Sequence, residues 1–261
     1  MKKVCVVTGG SRGIGLSVVS RLLSSGHIVY DLSRNKNPLS EAEHIDTDVS
    51  DERSVSLAVS DIVRVEERID LVVCCAGFGI SGAVEFTDIN DAKHQMDVNF
   101  FGAVNIIKQT LGHLRRSRGR IICVSSVAAA LQIPFQAYYS ASKAAINALV
   151  MAVSNEVRDF GVSVCAVMPG DVSTSFTVNR EKSEAGDDVY SGKISRSVAI
   201  MERDEENGMS PDYAAKIICR VAEKNKVKPF YTVGFKYKLF LFLNRLLPVK
   251  LVGYLIGKIY N

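Results

Sequence analysis

Tyr139 and Lys143 stand four residues apart in Tyr139-Ser140-Ala141-Ser142-Lys143. On a helix, that spacing puts a phenol and an ammonium on one face, one turn apart. A free phenol loses its proton near pH ~10, and a fixed ammonium beside it favours the phenolate and draws the pKa toward the working range. Such a pair can move a proton to or from a substrate oxygen. Thirteen residues before Tyr139, Ser126 ends the apolar run Ile121-Ile122-Cys123-Val124-Ser125-Ser126, which reads as a buried strand. A hydroxyl there can hydrogen-bond the oxygen that the tyrosine protonates. Spacing alone is weak evidence, because Tyr254-Leu255-Ile256-Gly257-Lys258 repeats the motif near the end of the chain. That second copy has Leu241 where the first has Ser126, so the first copy is the candidate site. A plain surface Tyr–Lys pair is the alternative the remaining chain must exclude.

The elements needed to position these groups are legible in order. Residues 3–8 form an apolar β run, followed by Gly9-Gly10-Ser11-Arg12-Gly13-Ile14-Gly15 and a helical pattern through Leu16, Val19, Leu22 and Leu23. Strand, glycine-rich turn and helix together aim backbone N–H groups and a helix N-terminus at a diphosphate. Residues 28–32 read as a second strand. The position beyond it, where an acid would accept a ribose 2′-OH, falls on Ser33 with Arg34 beside it, while Asp31 lies inside the strand. Arg12 and Arg34, with no carboxylate beside them, favour NADP(H) over NAD(H). Residues 45–49 make a short third strand, 50–65 a helix with Ser50 as N-cap, and 69–75 a wholly apolar fourth strand. A helical period runs over 88–116, and 162–167 form a sixth strand after the one ending at Ser126. Alternating strands and helices predict an α/β fold: one doubly wound, Rossmann-like parallel sheet with helices on both faces.

Residues 173–209 are polar and carry no sustained period, and they follow a strand end where α/β ligand sites form. They are expected to be an irregular substrate lid within a catalytic unit spanning 1–234. A helix over 211–223 and a last strand over 229–233 follow. Residues 235–261 form an apolar, basic helical tail without an acid. Its charges and Pro248 exclude a spanning helix. It is expected either to pack over the pocket or a subunit interface, or to touch a membrane surface peripherally.

Composition excludes other classes. At 47% hydrophobic and 23% charged residues, the 261-residue chain can bury a full core. A net charge of +4 gives no nucleic-acid signature, and the four histidines are scattered, so neither nucleic acid nor a metal is expected as partner. Cys5, Cys74, Cys75, Cys123 and Cys165 sit in apolar strand-like runs and fit a reducing compartment. The strand beginning almost at residue 1 leaves no room for a signal peptide, so a cytoplasmic location, at most at the membrane surface, is expected.

With these residues in hand, the chain resembles the shorter branch of the short-chain dehydrogenase/reductase family over about residues 3–233. The resemblance rests on Thr8-Gly9-x-x-x-Gly13-x-Gly15, Asp48-Val49, Asn99, Ser126 with Tyr139 and Lys143, and Pro169-Gly170 with Thr174, in the family's order. It implies a tetrad of Asn99, Ser126, Tyr139 and Lys143. In it Tyr139 carries the proton, Ser126 holds the substrate oxygen, Lys143 binds the nicotinamide ribose, and Asn99 anchors a water-linked relay. It further implies cofactor contacts from Gly9, Ser11, Arg12, Gly13, Ile14 and Gly15, and from Arg34, Asp48, Val49, Ala76 and Gly77. Asn99, Tyr139, Lys143, Pro169, Gly170, Val172 and Thr174 complete that set, and a homo-oligomer, dimer or tetramer, pairing through helices near 100–116 and 137–160 is implied as well. One position departs: Cys75-Ala76-Gly77 stands where the family usually has Asn-Ala-Gly, removing an amide that braces the central sheet. The expected function is NADP(H)-dependent interconversion of a carbonyl and an alcohol on a hydrophobic small molecule, with Val127, Pro134, Phe135, Phe78 and Ile80 as pocket candidates. The alternatives are a non-enzymatic NADP-binding protein of the same fold, and an epimerase or dehydratase sharing Tyr-x-x-x-Lys.

Overall fold

A computed structural model describes residues 2–260; Met1 and Asn261, the ends of the two expected units, lie outside the described residues. The chain runs β1 (Val4–Thr8), α1 (Gly13–Ser24), β2 (Ile28–Ser33), β3 (Glu43–Asp46), α2 (Glu52–Glu66), β4 (Leu71–Cys74) and the two-residue β5 (Ile80–Ser81). Then come α3 (Ile89–Met96), α4 (Gly102–Ser117), β6 (Arg120–Val124), α5 (Ala137–Glu156), β7 (Ser163–Pro169) and β8 (Glu181–Lys182). Helices α6 (Lys193–Glu206) and α7 (Pro211–Ala222), strand β9 (Phe230–Val233), and helices α8 (Phe235–Leu246) and α9 (Val249–Tyr260) complete it.

Seven strands make one sheet in the order β3-β2-β1-β4-β6-β7-β9, and every pairing in it is parallel. Apolar strands fit this arrangement because both faces are covered. Val4, Val6, Val72, Ile121 and Val164 point into one core with α2, α4 and α5. Their alternates Cys5, Val7, Leu71, Val73, Ile122 and Cys165 point into a second core with α1 and α7. Each such Val, Leu or Ile contributes about 1.5–3 kcal/mol on burial. The strand cysteines serve as small apolar members of those cores. Strand order reverses between β1 and β4, so a crevice opens beyond their C-terminal ends, where open α/β sheets bind ligands.

Several boundaries differ from the sequence reading. The third strand is Glu43–Asp46, earlier than 45–49, because its register is set by pairing Tyr30 with Glu43 through Ser33 with Asp46. The next helix is capped by Asp51, whose carboxylate accepts the Arg53 N–H, so Ser50 is not the N-cap. Ser50 instead donates its hydroxyl to Asp48 at 2.6 Å. The strand expected over 69–75 keeps only Leu71–Cys74, since that is the length paired with β1 and β6. The helical stretch expected over 88–116 is interrupted by a π-helical turn, Asp97–Phe101. The stretch at 173–209 is not irregular throughout. It contributes β8, parallel to β5, and the 14-residue α6, whose Ile194, Val198 and Met201 form a small third core with Ala83.

Candidate active site

The cofactor end begins with the glycine turn. Gly9 has φ +65 and an added Cβ would lie 2.9 Å from Ala76 Cα, while one on Gly15 would lie 2.1 Å from the Gly9 carbonyl oxygen. These residues are glycine because β1, α1 and the turn after β4 meet without room for a side chain. Helix α1 starts without a side-chain cap, unlike α2, α3 and α7, which Asp51, Asp88 and Ser210 cap. Its first N–H groups are left free, and because Arg12, Gly13, Ile14 and Gly15 line the cleft, they are placed to meet an anion such as a diphosphate. The residues present thus fit a dinucleotide.

Ser11, Arg12, Ile14, Ser33 and Arg34 line the same cleft. Asp31 does not compete for a ribose. It is fully buried and accepts from Gly10 N–H at 2.8 Å, from the Ser33 hydroxyl at 2.8 Å and from the Asn37 amide at 3.0 Å. Farther along, Asp48 and Val49 border the cleft, and the Asn105 amide donates to the Val49 carbonyl at 2.9 Å. Burial pushes the Asp48 carboxyl up. The Ser50 hydroxyl and N–H, with the Arg34 charge, outweigh that and hold it below the ordinary carboxylate range.

The substitution at Cys75 leaves a brace intact. The Thr8 hydroxyl oxygen accepts the N–H groups of both Cys75 and Ala76, each at 3.1 Å, tying β1 to the turn after β4. Burial raises the Cys75 thiol well above its ordinary range, so it stays neutral.

The reacting end comes from β6, α5 and the π turn. Ser126 follows β6, and its hydroxyl oxygen accepts the Ala128 N–H at 3.1 Å, which orients it. Tyr139 and Lys143 sit one turn apart on α5, with Lys143 Nζ 5.7 Å from the Tyr139 ring centre. Lys143 is buried and donates to the Val124 carbonyl at 3.0 Å. Burial without a nearby carboxylate partner lowers it to about 8. Burial also dominates at Tyr139, pushing the phenol up to about 12 against the pull of the Ser126 hydroxyl. The expected lowering of Tyr139 by Lys143 is therefore not what governs the free protein: its low-dielectric surroundings penalise the phenolate more.

Asn99 lies inside the π turn and is buried. Its amide donates to the Phe78 carbonyl at 2.9 Å and the Ser142 hydroxyl at 3.1 Å, and its carbonyl accepts the Phe78 N–H at 3.0 Å. Alone among the expected catalytic and cofactor-contact residues, Asn99 does not line the cleft; it fastens the turn carrying Gly77 and Phe78 to α5. Gly9, Gly13, Gly15, Ala76, Gly77, Pro169, Gly170, Val172 and Thr174 all line it with Ser126, Tyr139 and Lys143.

Of the pocket candidates, Val127 and Phe78 line the cleft, whereas Pro134, Phe135 and Ile80 do not. Ile80 is consumed by β5, and Phe135 packs edge-on against Tyr190 in the third core. Ile133, Phe176, Met201 and Tyr260 take their place in the wall. The Phe176 ring lies 5.5 Å from that of Tyr139, and the Arg180 guanidinium lies over the Phe176 ring, 5.5 Å from its centre. Arg180 is buried and paired with Glu205 of α6, which also accepts the Thr177 hydroxyl at 2.6 Å. The sequence reading missed this pair; the spacing of Ile194, Val198 and Met201 was the one signal that a helix would carry Glu205 inward. Asp171 also escaped it. Burial raises its carboxyl, offset in part by the Tyr237 hydroxyl, which donates to it from α8.

A family model described as short chain dehydrogenase matches residues 3–185. Among curated proteins, the chain is 38% identical to a 3-ketodihydrosphingosine reductase of Bacteroides thetaiotaomicron, covering 89% of this chain and 90% of that one. It is 32% identical to a probable short-chain type dehydrogenase/reductase of Helicobacter pylori, over 94% and 93% of the two chains. Among solved structures, a short-chain dehydrogenase from Streptomyces avermitilis superposes with TM-score 0.82 at 26% identity, over 93% and 92%. One from Burkholderia cenocepacia in complex with NADP gives TM-score 0.73 at 25% identity, over 93% and 94%. Together with the glycine turn and the Ser–Tyr–Lys cluster, these similarities place the chain in the short-chain dehydrogenase/reductase family, as an NAD(P)-binding oxidoreductase with a Rossmann-like sheet of seven parallel strands.

Proposed function

We propose that the protein is an NADP(H)-dependent carbonyl reductase for a hydrophobic ketone, with a 3-keto lipid of the kind named for the Bacteroides relative as the leading substrate class. The observation carrying this reading is a phenol flanked by a serine hydroxyl in a cleft also lined by Phe78, Val127, Ile133, Phe176 and Met201. The bound nicotinamide supplies or accepts the hydride. Ser126 hydrogen-bonds the substrate oxygen and Tyr139 gives that oxygen its proton. Burial keeps the phenol protonated at neutral pH, which suits it to give its proton in the reductive step. Lys143 holds the cofactor ribose and supplies positive charge beneath Tyr139. Asn99 keeps the Gly77–Phe78 turn in place against α5.

NADP(H) over NAD(H) is supported by Arg12 and Arg34 in the cleft and by the engagement of Asp31 elsewhere. The NADP complex of the Burkholderia neighbour is consistent with it. Pairing of two copies through the α4 and α5 faces is supported by the exposed Phe101, immediately before α4, and Met151 on α5. The deciding experiment is NADPH oxidation against long-chain 3-ketones, steroids, retinoids, acyl substrates and small ketones. The reading expects kcat/KM to rise with apolar chain length. Faster turnover of small polar ketones, or of none of the panel, overturns it.

A further inference from the structure

Helices α8 and α9 have two faces with different partners. On α8, the half-buried Tyr237, Leu241 and Asn244 face the body of the protein, as does Leu247 just beyond its end. The Tyr237 ring packs on Gly170, its hydroxyl donates to Asp171, and the Asn244 amide donates to the Ala130 carbonyl at 3.2 Å. Helix α9 lies against α6 and brings Tyr260 into the cleft wall. The inner face is therefore fastened at the cleft.

Among the described residues, the outer face has no partner and is apolar. Phe235, Leu239, Phe242 and Leu246 recur at four, three and four residues, which places them on one stripe of α8 opposite Tyr237 and Asn244. Phe235 is 82%, Phe242 58% and Leu246 64% exposed. Helical geometry sets Lys238 and Arg245 along one flank of this stripe and Lys236 along the other. On α9, Leu251, Leu255 and Ile259 recur every four residues and are exposed, with Lys250 and Lys258 nearby. Each helix has 12 residues, and among the described residues no helix is long and apolar enough to cross a membrane.

We infer that the consecutive helices α8 and α9 form a docking face for an anionic lipid bilayer, their apolar stripes seated in the interface and their cations against the headgroups. Charge selects this occupant. The tail carries Lys236, Lys238, Arg245, Lys250 and Lys258 and no acid, so two copies joined face to face would bring like charges together. An interface of anionic headgroups over acyl chains matches both the stripe and its flanks. Because Tyr260 of α9 lines the cleft and Tyr237 of α8 packs on its Gly170, docking through these helices brings the cleft close to the bilayer. A ketone dissolved in that bilayer then reaches Tyr139 without crossing bulk water; this use of the face, unlike the docking itself, rests on the carbonyl-reductase reading.

The test is co-sedimentation of the full chain with vesicles of equal parts phosphatidylglycerol and phosphatidylcholine, and with phosphatidylcholine alone. Two variants accompany it, Phe242→Asp with Leu246→Asp, and Lys238→Glu with Arg245→Glu. All four side chains point away from the core, and cofactor binding checks that each variant is folded. Wild type is expected to pellet with the anionic vesicles, at least tenfold less with phosphatidylcholine alone, and each variant at least tenfold less than wild type. Wild type remaining in the supernatant, or both variants pelleting like wild type, overturns the inference. So does a self-association measured by sedimentation velocity that the aspartate variant abolishes while wild type ignores vesicles, since a second copy then covers the face. Pelleting requires no turnover, so its failure is separate from any failure to find a substrate.

Discussion

The chain writes Tyr-x-x-x-Lys twice, and the two copies meet opposite environments. In the cleft, Lys143 is 5% exposed, lies beneath a phenol and is preceded by a strand-end serine whose hydroxyl reaches toward that phenol. In the tail, Tyr254 is 64% exposed on α9, with Leu241 standing where a serine would be needed. Identical spacing on a helix thus yields a buried cleft cluster in one place and a surface pair in the other. The difference lies in what surrounds them. Burial shifts the protonation equilibria of Tyr139 and Lys143, and the glycine turn puts a cofactor site within reach.

The largest separation is expected from paired tyrosine substitutions. Tyr139→Phe removes only the ionisable oxygen and should lower turnover by about 10²–10⁴-fold with cofactor binding retained. Tyr254→Phe should leave turnover unchanged. A Tyr139→Phe enzyme keeping more than a tenth of wild-type activity ends the assignment.

Titration sharpens the same contrast. Lys143 ionises at about 8 in the folded protein against about 10.4 in the unfolded chain. Between those values the unfolded chain binds the extra proton, so this residue's contribution to stability rises with pH, and its penalty is greatest below 8. Lys143→Met removes that penalty. Its stability relative to wild type, from urea unfolding, should therefore fall by on the order of 2–3 kcal/mol between pH 7 and 10. A pH-independent difference would mean that burial does not depress this lysine. Lys258→Met, at the second copy, should stay within about 0.5 kcal/mol of wild type.

At the cofactor end of the cleft, Arg34→Asp should move the NADPH/NADH preference toward NADH by about tenfold, as an acid repels a 2′-phosphate and accepts a 2′-OH. An unaltered ratio of kcat/KM values for the two cofactors makes Arg34 a bystander. The smallest effect is expected where the two regions touch. Tyr237→Phe deletes the hydroxyl that α8 donates to Asp171, and KM should rise by less than about tenfold with little change in kcat. A kcat loss matching that of Tyr139→Phe would move Tyr237 from the wall of the site into its chemistry.

What local sequence determined is whatever repeats within a few residues. Strand and helix periods, the glycine turn, the strand-end Ser126 and the helical Tyr139–Lys143 pair all declare themselves within such windows, so the sheet and the reacting groups were legible. Asp31 could be placed inside its strand for the same reason. Tertiary packing decided the features that join distant stretches. The π turn at Asn99 exists because that side chain is bonded to Phe78 and Ser142, 21 and 43 residues away. Arg180 is buried by Glu205, and Asp171 meets Tyr237 across 66 residues. Pro134, Phe135 and Ile80 were apolar residues near the right strand ends, but β5 and the third core claimed Ile80 and Phe135, and the α6 and α9 side chains Met201 and Tyr260 formed the wall instead. A periodicity reports that a residue will be buried; only the folded chain determines against which neighbour, because that neighbour is chosen by the competition of all apolar surfaces for one interior.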